Sequence, residues 1–229
     1  MKPSAAMCVT LLVAAFLVAA CAGAPNAGDR AASRSIDPRA KCPSGPLGRG
    51  FSQTVPGAGQ HDATLLERGV LYYTNLARCQ KGLRPLRRDG GVALTARNHA
   101  NDMARLNFFD HTSPVPERRT LSDRLGEVRV PYQLAAENII EARYMAYRNR
   151  ARFRTIDASR CLYTYTNGER IPRHTYRTLA KELVDRWLTS PGHRRNVLDP
   201  DLTRHGFAIA PNRAKTLCGG LYAAQVFAG

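Results

Sequence analysis

The chain has 229 residues and a formal net charge of +16, with 34 basic side chains, 29 of them arginine, against 18 acidic ones. That excess favours anionic surfaces such as phospholipid head groups, lipopolysaccharide phosphates or wall polymers, although arginines scattered through every segment also suit a plain solvated surface. Nucleic acid is not expected as a partner because of how the chain opens: Lys2, then an apolar run from Met7 to Ala20 that ends at Cys21, the pattern of an export signal.

That run of fourteen residues falls short of the roughly 20 that a membrane-spanning helix needs. Small residues before a cysteine, Val18-Ala19-Ala20-Cys21, form a lipobox-like junction. Residues 1–20 are therefore expected to be a lipoprotein signal peptide, and Cys21 the lipidated first residue of a membrane-anchored chain. Cleavage near Ala22 or Ala24 would instead release a secreted protein. Ala22 rather than aspartate after the cysteine points to the outer membrane and periplasm in a Gram-negative cell. Residues 21–59, rich in Gly, Pro, Ala and Ser without a helical or strand period, are expected to be a flexible tether. Residues 60–229 suit one domain without internal repeats.

Four more cysteines, Cys42, Cys79, Cys161 and Cys218, suggest two disulfides in an exported protein. Three pairings are possible, of which Cys42–Cys79 with Cys161–Cys218 is favoured. No two stand at Cys-x-x-Cys spacing, so a cysteine zinc site is a poor fit.

From Thr64, Leu66, Val70, Tyr73 and Ala77 recur at helical spacing, and Gly82 stops the helix. Val92, Ala96, His99, Met103 and Leu106 mark a second helix that ends before Pro114. Leu179, Leu183, Val184 and Trp187 mark a third, from Tyr176 to Ser190-Pro191-Gly192, with Trp187 read as core. Gly206–Ala210 and Leu221–Phe227 read as strands joined by a turn-rich loop. Helices first and strands last imply an α+β layer fold.

Several blocks, in this order, resemble the CAP superfamily, the cysteine-rich secretory, antigen 5 and pathogenesis-related group. They are Asn75-Leu76-Ala77-Arg78, Gly82-Leu83-Arg84-Pro85-Leu86 and His99-Ala100, then Asp110-His111-Thr112-Ser113-Pro114 and Ala136-Glu137-Asn138-Ile139. The bacterial SCP-like branch is suggested by Trp187-Leu188-Thr189-Ser190-Pro191-Gly192-His193-Arg194-Arg195-Asn196, with Tyr222–Phe227 as the closing strand. The resemblance implies a three-layer α-β-α sandwich around a small, mainly antiparallel sheet, and a cleft that in many members carries two histidines and two acidic residues, some of them binding a divalent metal. His111 and Glu137 match the first histidine and the first glutamate. Ser190 stands where a second glutamate is usual, and Cys218-Gly219-Gly220 replaces the usual Cys-Gly-His, so His193 is the candidate second histidine.

Two imidazoles and a carboxylate are a plausible shell for zinc or another divalent metal. The same trio could position a water, with Glu137 as base and a histidine as acid. No Gly-x-Ser-x-Gly or His-Glu-x-x-His accompanies them. Structural roles compete with these. His99 suits a core histidine bonded to backbone; His111 could lock the turn before Pro114; Glu137-Asn138 could satisfy buried amides at a strand edge; His193 could sit at the negative end of a helix. His61, His174 and His205 stand in polar or turn-like contexts without partner spacing.

The stretch 141–177 is longer than the family usually has, and mixes Tyr144, Tyr147 and Phe153 with Arg148, Arg150, Arg152 and Arg154. That composition could engage anionic lipid or glycan phosphates, or form a disulfide-tied flap. The function expected is a non-catalytic binding or interaction module for lipid or other envelope components; a metal-assisted hydrolase or peptidase and an envelope scaffold are the alternatives.

Overall fold

A computed structural model describes residues 41–56, 60–148, 150–212 and 218–229. The expected signal peptide, the expected lipidation residue Cys21 and residues 22–40 lie outside the described residues.

Most of the helices start where a side chain can accept the orphan N–H groups of the first turn. In α1 (Ala63–Gln80) the Asp62 carboxylate accepts from Leu65, and in α2 (Gly90–Leu106) Asp89 accepts from Gly91 and Val92. Short α3 (Leu121–Glu127) opens on a reciprocal Thr120–Asp123 capping box, and α4 (Tyr176–Thr189) on a Thr175–Thr178 box. Pro191 then begins α5 (Pro191–Leu198), where its missing N–H costs nothing.

Four strands form the main sheet, in the order β1-β5-β6-β2: β1 (Arg87–Arg88), β5 (Arg204–Asn212), β6 (Gly220–Ala228) and β2 (Ala135–Arg143). The long strands β2, β6 and β5 are antiparallel, and only the two-residue β1 runs parallel to β5. Alternate side chains go to opposite faces. Phe207, Ile209, Ala223 and Phe227 pack with Leu66 and Val70 of α1 and Leu183 and Trp187 of α4, all buried. Ile139, Ala224 and Val226 pack on the other face with Val92, Ala96 and Met103 of α2 and Leu125 of α3. The result is the three-layer α-β-α sandwich expected from the sequence.

Gly206 lets α2 lie directly on the sheet. A Cβ there would stand 2.2 Å from the Ala93 backbone nitrogen, a contact no rotamer change relieves.

Two expectations need correction. The strands do not all come last: β2 precedes α4 and forms one edge of the sheet. Both its faces are buried and Glu137-Asn138 interrupts it, so the alternation that betrays a half-exposed strand is missing. Residues 41–56 are not tether either. Cys42 is bonded to Cys79 of α1, Phe51 and Val55 are buried in the core, and Thr54 bridges Thr175.

The extra stretch folds as a hairpin, β3 (Phe153–Asp157) with β4 (Leu162–Tyr165), over its own small core of Met145, Tyr163, Tyr165 and Ile171. Cys161–Cys218 ties it to the approach to β6. Both disulfides are those favoured from the sequence. Among the described residues, no helix is long and apolar enough to cross a membrane.

Candidate functional site

The site is assembled around β2, because consecutive residues of a strand serve opposite faces. Glu137 turns toward α2 and α3. Its two carboxylate oxygens accept from the Arg124 guanidinium at 3.0 and 2.8 Å, and Oε1 also accepts from His111 Nδ1 at 2.9 Å. Arg124 is fully buried, and its other Nη donates to the carbonyls of His111, Arg118 and Arg119. Arg124 therefore holds both the carboxylate and the loop that carries His111.

Burial by itself would raise the Glu137 carboxyl, but the His111 hydrogen bond and the Arg124 charge outweigh it and hold the pKa below its ordinary value. His99, fully buried in α2, donates from Nε2 to the Asp110 carbonyl at 3.0 Å and lies 3.7 Å from Glu137. Its burial lowers its pKa despite Glu137, so it is a neutral core histidine bonded to backbone, as its position on the apolar stripe predicts. His111 is different, with a side chain 54% exposed. Its Nδ1 is committed to Glu137, which leaves the Nε2 edge of a half-exposed ring.

Asn138 turns to the other face and donates to the His193 carbonyl at 3.2 Å and to Gln225 Oε1 at 3.1 Å. Asn196 of α5 donates to Asn138 Oδ1 and to the Glu137 carbonyl. These bonds fix the first turn of α5, which bears His193. The sequence suggested the negative end of a helix for His193; the chain instead breaks at Ser190 and starts α5, so His193 sits at a positive end. Burial, with His111 nearby, lowers its pKa.

His193 lines a groove of about 600 Å³ with Phe109, Ile140, Arg143, Arg186 and Ser190. An adjoining cavity of about 320 Å³ shares Arg143 and Arg186 and is closed by Met145 and Tyr147 from the start of the extra stretch. That stretch therefore extends the wall of the groove.

The structure brings His111 and Glu137 into direct contact, and His193 feels the charge of His111. As arranged, the donor set does not fit a cation. Both Glu137 oxygens face a buried guanidinium, and among the described residues no three His, Cys, Asp or Glu side chains are grouped to hold a metal ion. Nor is a serine hydroxyl bonded to either imidazole among the described residues; Ser113 is buried and accepts from the Val115 N–H. What remains is an oriented imidazole, His111, backed by a carboxylate beside a mixed polar and apolar groove.

The sequence reading missed Arg124. The signal was present: Arg124 stands three residues after Leu121 and one before Leu125, on the apolar stripe of α3, where an arginine must be buried and paired. It also misplaced His205, which lies fully buried in β5 rather than in a polar turn.

Taken together, the sandwich and the Glu–His pair at its sheet edge define the class. The sequence profile of the cysteine-rich secretory protein family (CAP) matches residues 71–227, more than half of the chain, and the chain belongs to that family. In Bacillus subtilis, the uncharacterized protein YkwD is 29% identical over 61% of this chain, and the uncharacterized membrane protein YlbC 30% identical over 64%. The matches span only 40% and 32% of those proteins. Among solved structures, an extracellular SCP-domain protein from Bacillus anthracis is 25% identical and superposes with a TM-score of 0.48, covering 81% of this chain and 45% of that one. An outer surface protein of Borrelia burgdorferi is 14% identical with a TM-score of 0.47, covering 70% and 90% respectively.

Proposed function

We propose that this chain is an exported, non-catalytic CAP module that binds a lipid or another envelope component in the groove beside His193, and that a lipid on Cys21 anchors it to the membrane. The observation that carries this reading is the Arg124–Glu137 pair. A general base must be able to take up a proton, and a carboxylate clamped by a buried guanidinium is held in its ionised form and faces away from solvent. Two disulfides suit an oxidising compartment, in line with export.

A hydrolytic reading is kept in one form. His111, oriented by Glu137 at 2.9 Å, could activate a water through Nε2. The full-length protein and its His111→Ala and Glu137→Gln variants should show equal, background rates on peptide, ester and glycan substrates. A turnover abolished by His111→Ala would replace the binding reading with the hydrolytic one. For the anchor, Cys21→Ser should move the protein from the membrane to the soluble fraction; unchanged fractionation would remove the lipid from the reading.

A further inference from the structure

We infer that the β3–β4 hairpin is a membrane-contact element that seats on an anionic phospholipid surface, a deeper step that rests on the envelope-binding reading. The hairpin belongs to the stretch 141–177, which carries nine arginines against three acidic residues. Glu169 is paired with Arg148, and Asp157 accepts from Ser159 and the Arg160 N–H. Arg152, Arg154, Arg160 and Arg170 are all exposed and make no ion pair among the described residues.

The register places these charges together. Arg154 pairs with Thr164, and Thr164 bridges Arg170 on its other side, so Arg154 and Arg170 project from one face. The opposite face is spent on the small core, where Tyr163 and Tyr165 are buried and Phe153 stands edge-on to Tyr163. Ile156 lies at the irregularity between Thr155 and Asp157 and is 62% exposed, the most exposed large apolar side chain among the described residues.

Arginines alone would fit any polyanion. An exposed isoleucine among them fits a bilayer surface, where guanidiniums meet lipid phosphates while the apolar side chain enters the acyl boundary. The Cys161–Cys218 disulfide and the aromatic core hold the hairpin in shape before contact, so little ordering accompanies binding.

The test uses the full-length chain carrying Ile156→Trp together with Cys21→Ser, so that the proposed lipid anchor does not itself bring the protein to the vesicles. Its native tryptophan, Trp187, is fully buried, so a change in emission reports the hairpin. Vesicles of phosphatidylglycerol mixed with phosphatidylcholine should shift the emission to the blue, whereas pure phosphatidylcholine should not. Adding Arg152→Gln, Arg154→Gln and Arg170→Gln should weaken the partitioning on the order of a hundredfold. All four positions are exposed, so loss of fold does not enter. Emission that stays unchanged while the protein still sediments with the vesicles would overturn the hairpin proposal and leave the binding reading standing. A shift produced equally by soluble polyphosphate would overturn the lipid assignment. Absence of any binding to vesicles or envelope fractions would overturn both readings.

Discussion

Glu137 and Asn138 are neighbours in β2, yet they belong to two buried polar systems of opposite kind, one on each face of the sheet. On the α2–α3 face the system is ionic: a fully buried Arg124 against Glu137, with three carbonyls accepting from the other Nη of the guanidinium. On the α1–α5 face it is neutral. Gln225 donates to Thr74 and His205 and accepts from Asn138, which in turn accepts from Asn196. His205 is pushed down to about 3 by burial and by Arg88, so it stays neutral and can accept from the amide. Each face sets one imidazole of the site, His111 through Glu137 and His193 through Asn138. The difference teaches how each system fails: an ion pair fails when one partner is removed, a neutral chain when one member is charged.

The largest expected effect is on the ionic face. Arg124→Met strands a buried carboxylate and should destabilise the domain by about 3–5 kcal/mol in chemical denaturation. Adding Glu137→Leu should recover much of that loss, since the unpaired charge is then gone. An Arg124→Met cost below about 1 kcal/mol would mean that Glu137 takes up a proton readily, and would break the contrast.

On the neutral face, His205 should make stability strongly pH-dependent near neutrality. The folded pKa of His205 lies below its unfolded value of 6.5, so the unfolded chain binds the extra proton and stability falls as pH drops from 6.5 toward about 3. Between pH 7 and pH 5 this amounts to about 2 kcal/mol. His99 and His193 are lowered as well and add to the slope. The readout is therefore the difference from His205→Gln, which should make the profile shallower. The contribution of Glu137, whose pKa is lowered from 4.5, is lost only at more acidic pH, as the pH falls through its folded value.

Smaller effects sharpen the picture. Thr74→Val removes one acceptor from the neutral chain and should cost about 1 kcal/mol by thermal unfolding. His111→Ala should cost less than about 1 kcal/mol, because the ring is half exposed. Excess zinc should leave the unfolding midpoint of the wild-type protein unchanged; a raised midpoint that disappears in His111→Ala would show that the folded protein binds metal through His111.

By itself the sequence determined the helices α1, α2 and α4, the strands β5 and β6, the layer architecture and the pair His111–Glu137. Those elements carry strong local signals: apolar side chains at helical spacing, proline and glycine stops, β-formers near the closing end, and motif blocks in a fixed order. Tertiary structure decided the rest. The strand β2 carries the polar pair Glu137-Asn138, which feeds two buried networks, so its pattern conceals it. Residues 41–56 read as tether because their packing depends on a disulfide and two apolar anchors rather than on any period. The role of Glu137 depends on a guanidinium thirteen residues away in another element, and His205 is buried only because strands from distant parts of the chain flank it. Local pattern fixes which elements form, but the state of a charge depends on what long-range packing places against it.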